Sequence, residues 1–488
     1  MTTTSALCLI ECSDQPLDIS FHPTQDTIVA AGLVDGTVEV HDFEELLQDA
    51  RPAHPPVAAS PTNGFDDDDE VESIVSSTAV HTQFLPSKSS ESGMRKAVCR
   101  AVQFSLDGTT LYTGGSGGDL VGLDASRVTT FNAASTGKKS VINWRCNNAS
   151  YGKGGIQVIH EFQQQQQQQQ SESSNMETTG QTPSQQRTLL ATGDEAGGVR
   201  IWDPRLLSIE NRNGPNAKES LSLKKPQGCI HSWKLHDDYI SGFANSDDGN
   251  TLLASSADCT ISAYDLRMAG QHNQPLEKIA RRSDDQEDEL LSIQIMKNGR
   301  KVVCGSGEGV LSIFSWGTWG DVSDRFPGHP ASVDALLPVD QETLLTGSSD
   351  GLIRVVQIHP NKLLGVLGDH DGFPIEKLKF NANRNFVGSV THDSNIRIWD
   401  ARILSDDFEM EAEDVTGENA ESLLFEAETT VEKQPSATSK NSDDEWEDMD
   451  EDMEEVSDDD DDDEGGTTTN DRRRSRLKTE REKFYEDL

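Results

Sequence analysis

Two short boxes carry the most directional chemistry in this 488-residue chain: Ile201-Trp202-Asp203-Pro204-Arg205 and Ile398-Trp399-Asp400-Ala401-Arg402 both read I-W-D-x-R. Tyr264-Asp265-Leu266-Arg267 is a degraded third copy. An arginine two residues beyond an aspartate presents a planar, multi-donor cation. It suits a bidentate contact with a carboxylate, either a partner's or the local one. Catalytic patterns, by contrast, are incomplete. Thr136-Gly137-Lys138-Lys139-Ser140 lacks the leading glycine of a phosphate-cradling loop. Gly305-Ser306-Gly307-Glu308-Gly309 has no helix after it, so its glycines serve a turn. His160-Glu161 has no second histidine at helical spacing, and no His/Cys group shows metal-ligand spacing. The chain therefore reads as a non-enzyme with no cofactor and no metal.

The elements that position the boxes repeat along the chain. The unit is an alternating apolar strand, a polar turn, a strand rich in Ala, Ser, Thr and Gly, a tight turn, and a third strand ending in an aromatic-Asp pair. Copies lie at 17–43, 98–126, about 142–205 (a split copy), 239–267, 290–317, 332–358 and 374–400, which makes seven. Gly309 to Gly351 spans 42 residues and Gly351 to Asn395 spans 44, the period of WD40 units arranged radially as four-stranded blades. Period-2 alternation bounded by Asp-Gly and Asn-rich turns predicts strands throughout. The fold expected is all-β, a seven-bladed WD40 β-propeller over 1–403. The apolar stretch Ala6–Glu11 precedes the first copy. It is expected to supply the outermost strand of blade seven, removing an exposed sheet edge, so that deleting residues 1–13 destabilises the whole ring.

Within this frame several polar residues fall at blade-structural positions. Asp35, Asp258, Asp350 and Asp393 occupy the turn before the third strand, and His236, His329 and His370 lie upstream of it. In a propeller blade such a His, the turn Asp and a third-strand Trp hydrogen-bond through the blade, satisfying buried polar groups. Blade two has Gly117 and blade five Glu308 at the turn position, so these two are expected to be looser.

Composition bounds the rest. Hydrophobic residues make up 34%, and 42 Lys and Arg against 85 Asp and Glu give a net charge of −43. That field opposes gripping nucleic acid, so any such contact is indirect. Insertions at 48–96, 163–186 (with eight consecutive Gln) and 210–228 lack the apolar content to offset ordering entropy and are expected to be disordered. The tail 404–488 is of the same kind. Its 441–464 portion carries 17 acidic and no basic residues, and a basic segment follows at 472–483, a candidate nuclear or nucleolar address or an RNA contact. The acidic run reads either as a solvating tail or as a polyanion for basic proteins. Ser442 and Ser457 sit in the acidic context that acidophilic kinases select. Seven scattered cysteines without a CxxC pair fit reduced thiols, and no run is long enough for a membrane span, so a soluble intracellular protein is expected.

The stretch 17–400 resembles the WD-repeat protein 55 family of nucleolar ribosome-biogenesis factors. The residues carrying the resemblance are Leu190-Ala-Thr-Gly-Asp-Glu195 leading to Trp202-Asp203, His236-Asp-Asp-Tyr-Ile240, and Val303-Cys-Gly-Ser-Gly-Glu-Gly309. Ser323-Asp-Arg-Phe326, Thr346 through Arg354 into Ile358-His-Pro-Asn361, and Val366-Leu-Gly-Asp-His370 up to Pro374-Ile-Glu-Lys-Leu378 continue it. The Gln tract and the insertions at 48–96 and 210–228 depart from it. The resemblance implies a non-enzymatic scaffold in the nucleus and nucleolus. It would work with pre-ribosomal assembly factors in ribosomal RNA production or processing, for the large subunit. The I-W-D-x-R boxes separately resemble those with which WD-repeat substrate receptors dock on the adaptor of a cullin-type ubiquitin ligase.

Overall fold

The computed structural model describes residues 5–49, 98–129, 141–146, 149–151, 154–165, 186–207, 226–269 and 275–404. Seven antiparallel sheets form the blades of a β-propeller. The first strand, β1 (Cys8–Glu11), belongs to the last blade. Blade 1 holds β2 (Pro16–Phe21), β3 (Ile28–Leu33) and β4 (Val38–Asp42). Blade 2 holds β5 (Cys99–Phe104), β6 (Thr110–Gly115), β7 (Leu120–Asp124) and β8 (Ile142–Cys146). Blade 3 holds β9 (Ile156–Gln165), β10 (Gln186–Asp194), β11 (Gly198–Trp202) and β12 (Cys229–Lys234). Blade 4 holds β13 (Ile240–Asn245), β14 (Thr251–Ser256), β15 (Ile261–Asp265) and β16 (Ala280–Arg282). Blade 5 holds β17 (Leu290–Met296), β18 (Lys301–Ser306), β19 (Val310–Ser315) and β20 (Asp324–Pro327). Blade 6 holds β21 (Val333–Pro338), β22 (Thr343–Ser348), β23 (Leu352–Gln357) and β24 (Lys362–Asp369). Blade 7 holds β25 (Ile375–Phe380), β26 (Phe386–Thr391), β27 (Asn395–Asp400) and β1.

Ring closure follows the apolar stretch at the start of the chain. Cys8, Leu9, Ile10 and Glu11 pair with Ile398, Arg397, Ile396 and Asn395. The backbone N–H groups of Leu7 and Cys12 extend this ladder onto Ile398 and Ser394 at 2.7 and 2.8 Å. Alternation decides which side chains are covered: Ile10 is buried and Leu9 faces out. The cores lie between neighbouring blades. Ile10, Ile19, Phe21 and Val29 pack with Val390, Ile396 and Ile398 across the seam where the ring closes.

One expected boundary moves. Gln163, Gln164 and Gln165 pair with Thr188, Arg187 and Gln186, so blade strands enter the insertion expected at 163–186 from both sides. Backbone pairing makes no demand for apolar side chains. Gln165 is further held by its N–H donating to the Asp248 carbonyl at 3.0 Å. A short helix covers Glu44–Asp49, and a turn at Pro226–Cys229 leads into β12. The remainder of the three insertions lies outside the described residues. So do the tail from 405, the acidic run 441–464, Ser442, Ser457 and the basic segment 472–483.

Candidate functional site

In such a ring the turn between the second and third strands and the connection to the next blade leave one face. The other connections leave the opposite face. The turn aspartates and upstream histidines all lie on the first. In blade 7, Trp399 donates its indole N–H to Ser389 Oγ at 2.7 Å, and His370 Nε2 lies 2.8 Å from the same oxygen. In blade 6, His329 Nε2 lies 2.8 Å from Thr346 Oγ1. Burial, with Arg354 and Arg397 nearby, lowers these histidines to about 4 for His329 and about 3 for His370, which keeps them neutral. In blade 3, Trp202 donates to Thr192 Oγ1 at 2.8 Å, and Tyr151 takes the place of the histidine beneath Arg200.

The expected link from histidine to turn aspartate forms in one blade of the four that carry the aspartate. In blade 4, His236 Nδ1 lies 3.1 Å from Asp258 and its Nε2 lies 2.7 Å from Ser262 Oγ. Burial pushes the Asp258 carboxyl up, but His236 and Thr260 outweigh it and hold it well below the usual carboxylate range. Elsewhere the third strand captures the aspartate. Asp350 accepts a two-donor contact from Arg354 at 3.0 and 2.6 Å, and Asp393 faces Arg397 at 3.8 Å and accepts from the Asn395 N–H. Asp35 accepts from the N–H and hydroxyl of Thr37. The physical reason is register: the arginine four residues beyond the turn reaches back, and where Ser262 stands instead the aspartate meets the histidine. Blade 5 replaces the polar relay with packing, through fully buried Cys304 and Phe314. The Glu308 N–H there donates to Asp288 at 2.8 Å.

The arginines of the boxes lie on the opposite face, where the third strands end. Arg205 donates from Nε and Nη2 to the two oxygens of Asp203 at 3.0 and 2.8 Å. Arg267 and Arg402 hold Asp265 and Asp400 in the same fork, at 3.1 and 2.8 Å and at 2.8 and 2.5 Å. Asp203 is buried and also accepts from Arg187 at 2.9 Å, and these arginines pull its carboxyl down to about 2. Each box thus spends one edge of its guanidinium on its own aspartate. The Arg205 side chain stays 72% exposed and that of Arg402 58%.

Both faces carry exposed carboxylates, with Glu44, Glu45, Asp107, Asp247, Asp340 and Glu342 on the face of the box arginines. Glu195, Asp237, Asp284, Asp285, Glu308 and Asp371 are exposed on the turn face. One group escapes motif reading altogether: Cys12, Glu39 and His41, far apart by motif spacing, meet, all buried, where the end of β1 reaches blade 1. Their only signal in the sequence is positional, since Cys12 and His41 stand where other blades carry the relay His and Trp. Among the described residues no helix is long and apolar enough to cross a membrane, and none of the seven cysteines is in a disulfide.

Comparison with known proteins agrees with this architecture. The family model "WD domain, G-beta repeat" matches residues 227–265, 320–356 and 361–400. "WD repeat-containing protein 55" of Arabidopsis thaliana is 30% identical over 391 residues, 80% of this chain and 81% of that protein. "WD repeat-containing protein JIP5" of Malassezia globosa is 30% identical over 446 residues, 85% of this chain and 86% of that protein. Against the JIP5 protein of Cryptococcus neoformans the alignment reaches 39% over 222 residues, and the chain spans about half of that relative's length, 52%. Among solved structures, a chain of the mitotic checkpoint complex (12% identical, TM-score 0.52, covering 82% of this chain and 93% of that one) shares the fold. Raptor of Chaetomium thermophilum (16%, TM-score 0.52, 82% and 28%) does so as well. Propellers of this kind are scaffolds for protein–protein contacts, and the chain belongs to the family of WD repeat-containing protein 55 and JIP5.

Proposed function

We propose that the protein is a non-enzymatic scaffold of nucleolar ribosome biogenesis, acting in ribosomal RNA production or processing for the large subunit. Membership of the WD repeat-containing protein 55 and JIP5 family over four fifths of the chain carries this reading. The mechanism is binding alone: a rigid ring holds two faces at fixed spacing, so several assembly factors can be engaged at once. The exposed carboxylates of the ring and the run 441–464 fit basic segments such as ribosomal proteins or histones carry, and a negative field speeds their encounter. RNA contact is then indirect, through those proteins. Phosphorylation at Ser442 and Ser457 would deepen the charge of the tail.

A tagged pull-down at moderate salt, with RNA and proteins both identified, tests the reading. Precursor ribosomal RNA recovered with large-subunit assembly factors supports it; their absence refutes it. Loss of basic partners on deleting 441–464 assigns that part of the contact to the tail.

A second reading rests on the matched forks of Arg205, Arg267 and Arg402. Their aspartates fix the guanidinium planes, so a rim of pre-oriented cations faces outward, as a substrate receptor docking on a ubiquitin ligase adaptor requires. Recovery of that adaptor, lost on changing Arg205 and Arg402 to Ala, would favour this reading over the first.

A further inference from the structure

We propose that Cys12, Glu39 and His41 form a binding site for one divalent cation of the zinc class, and that the ion staples the ring-closing strand to blade 1. The position is telling. Cys12 directly follows β1, at the point where His236, His329 and His370 precede their blades. In β4, Glu39 stands opposite Ala31 as Arg397 stands opposite Ser389, which puts His41 at the place of Trp399. Blade 1 therefore has no bridging hydroxyl and no indole. The relay has been rebuilt from three side chains that each ligate metals.

Their geometry fits an ion. The three ligand atoms lie within 4.8 Å of one another, with His41 Nε2 3.2 Å from Glu39 Oε2 and 3.8 Å from Cys12 Sγ. Zinc bonds of about 2.3 Å to sulfur and about 2.0–2.1 Å to nitrogen and oxygen, at tetrahedral angles, give edges of about 3.5 Å for S···N and about 3.4 Å for N···O. The two edges at His41 differ from these by a few tenths of an ångström, and the third, Cys12 to Glu39, lies within 4.8 Å. All three side chains are buried, at 5, 1 and 1% exposure. His41 Nδ1 has no hydrogen-bond partner, so the directional contacts of the ring run through Nε2, the atom aimed at the other two ligands.

The charges around the cluster favour a cation. Glu39, Asp393 and Glu11 all lie close enough to act electrostatically on Cys12. Binding requires the Cys12 thiol to give up its proton to solvent, and the ion then sits between His41 Nε2 and Glu39 Oε2. The Ser13 N–H donates to Glu39 Oε2 at 3.3 Å and orients the carboxylate from outside. Three protein ligands leave the fourth position of a tetrahedral ion open. Because Cys12 continues the strand paired to blade 7 while Glu39 and His41 sit on blade 1, the ion spans the seam. Metal loss or oxidation of Cys12 would then loosen closure specifically.

Cobalt(II) titration of the full chain tests this directly. A thiolate-to-cobalt charge-transfer band with tetrahedral d–d absorption is expected at one equivalent. Acidic segments elsewhere cannot give the thiolate band. Zinc should displace the cobalt and raise the melting temperature by about 5 °C. Cys12→Ser should abolish the band, and the near-isosteric Glu39→Gln should weaken binding at least tenfold, while Cys8→Ser leaves both unchanged. Glu39→Gln keeps the shape of the side chain, so a folded variant is available even if Cys12→Ser fails to fold. No thiolate band in the parent chain overturns the proposal. So does a band that survives Cys12→Ser, or a zinc-induced rise in melting temperature that Glu39→Gln leaves intact.

Discussion

Truncating Ile10 to Ala puts a number on the closure of the ring. Ile10 is 4% exposed and packs with Ile19, Val390 and Ile396 at the seam. Removing its branched end leaves a cavity between two blades, at a cost of about 2–5 kcal/mol. A domain of this size loses roughly 2 °C of melting temperature per kcal/mol, so the variant should melt about 4–10 °C lower. Leu9, one residue away in the same strand, is 37% exposed. Leu9→Ala should cost no more than about 0.5 kcal/mol, a shift of about 1 °C. Differential scanning fluorimetry separates the two, and urea denaturation converts the shifts to free energies. Deleting residues 1–13 should go further and uncover the edge of β27, giving dimers or larger species by light scattering. Equal shifts for the two point variants, or a truncated chain that melts unchanged as a monomer, would refute the closure argument.

Other outcomes follow from the same contacts. Gly368→Ala would drive a methyl carbon into Cζ3 of Trp399, so the variant should lose about 1–3 kcal/mol and change the near-ultraviolet circular dichroism of the indole. Asp203→Ala removes the shared partner of half-buried Arg187 and of Arg205 and should cost about 1–3 kcal/mol, whereas Arg205→Ala, which removes an exposed side chain and leaves Asp203 paired with Arg187, should cost at most about 1 kcal/mol; a reversed order in urea midpoints would contradict the burial of Asp203. His329 and His370 have folded values below the ordinary 6.5, so the unfolded chain binds protons first as pH falls. Their contribution is whole above about 6.5 and is lost toward about 4 and about 3 respectively, at up to about 1.4 kcal/mol per pH unit for each. Urea midpoints between pH 7 and pH 4.5 should therefore fall less steeply in a His329→Gln, His370→Gln double variant, and an unchanged slope would count against the buried neutral state.

The ring itself was legible because hydrophobic alternation and turn spacing are local signals repeated seven times, and Ala6–Glu11 stood out as apolar residues without a local partner. The boxes were legible as boxes. The partners of the turn aspartates were not, because His370 and Asp393 look equivalent to His236 and Asp258 until the third strand is counted. Arg354 and Arg397, four residues past their aspartates, were the available clue, since one turn brings that position back over the carboxylate. The cluster of Cys12, Glu39 and His41 was hidden for a different reason. Its members share no motif spacing, and only the register of β1 and β4 brings a residue before the first blade against two within it. The strands inside the Gln tract were hidden because ladder hydrogen bonds come from the backbone, while the side chains there carry no alternation to read.

The pairing of Cys8–Glu11 with β27 also sets a timetable. The first strand made is the last to find its partner, because roughly 380 residues must be translated between them. At ~5–20 residues per second that is a wait on the order of 20–80 s. Through that interval each new blade can fold against the one before it, but the nascent ring stays an open arc with an unsatisfied strand at its leading end. A chaperone that holds this short segment would guard the assembly through its one exposed stage. A message cut short anywhere before Asn395 would yield a product that can never close, marked for removal by the same unpaired edge.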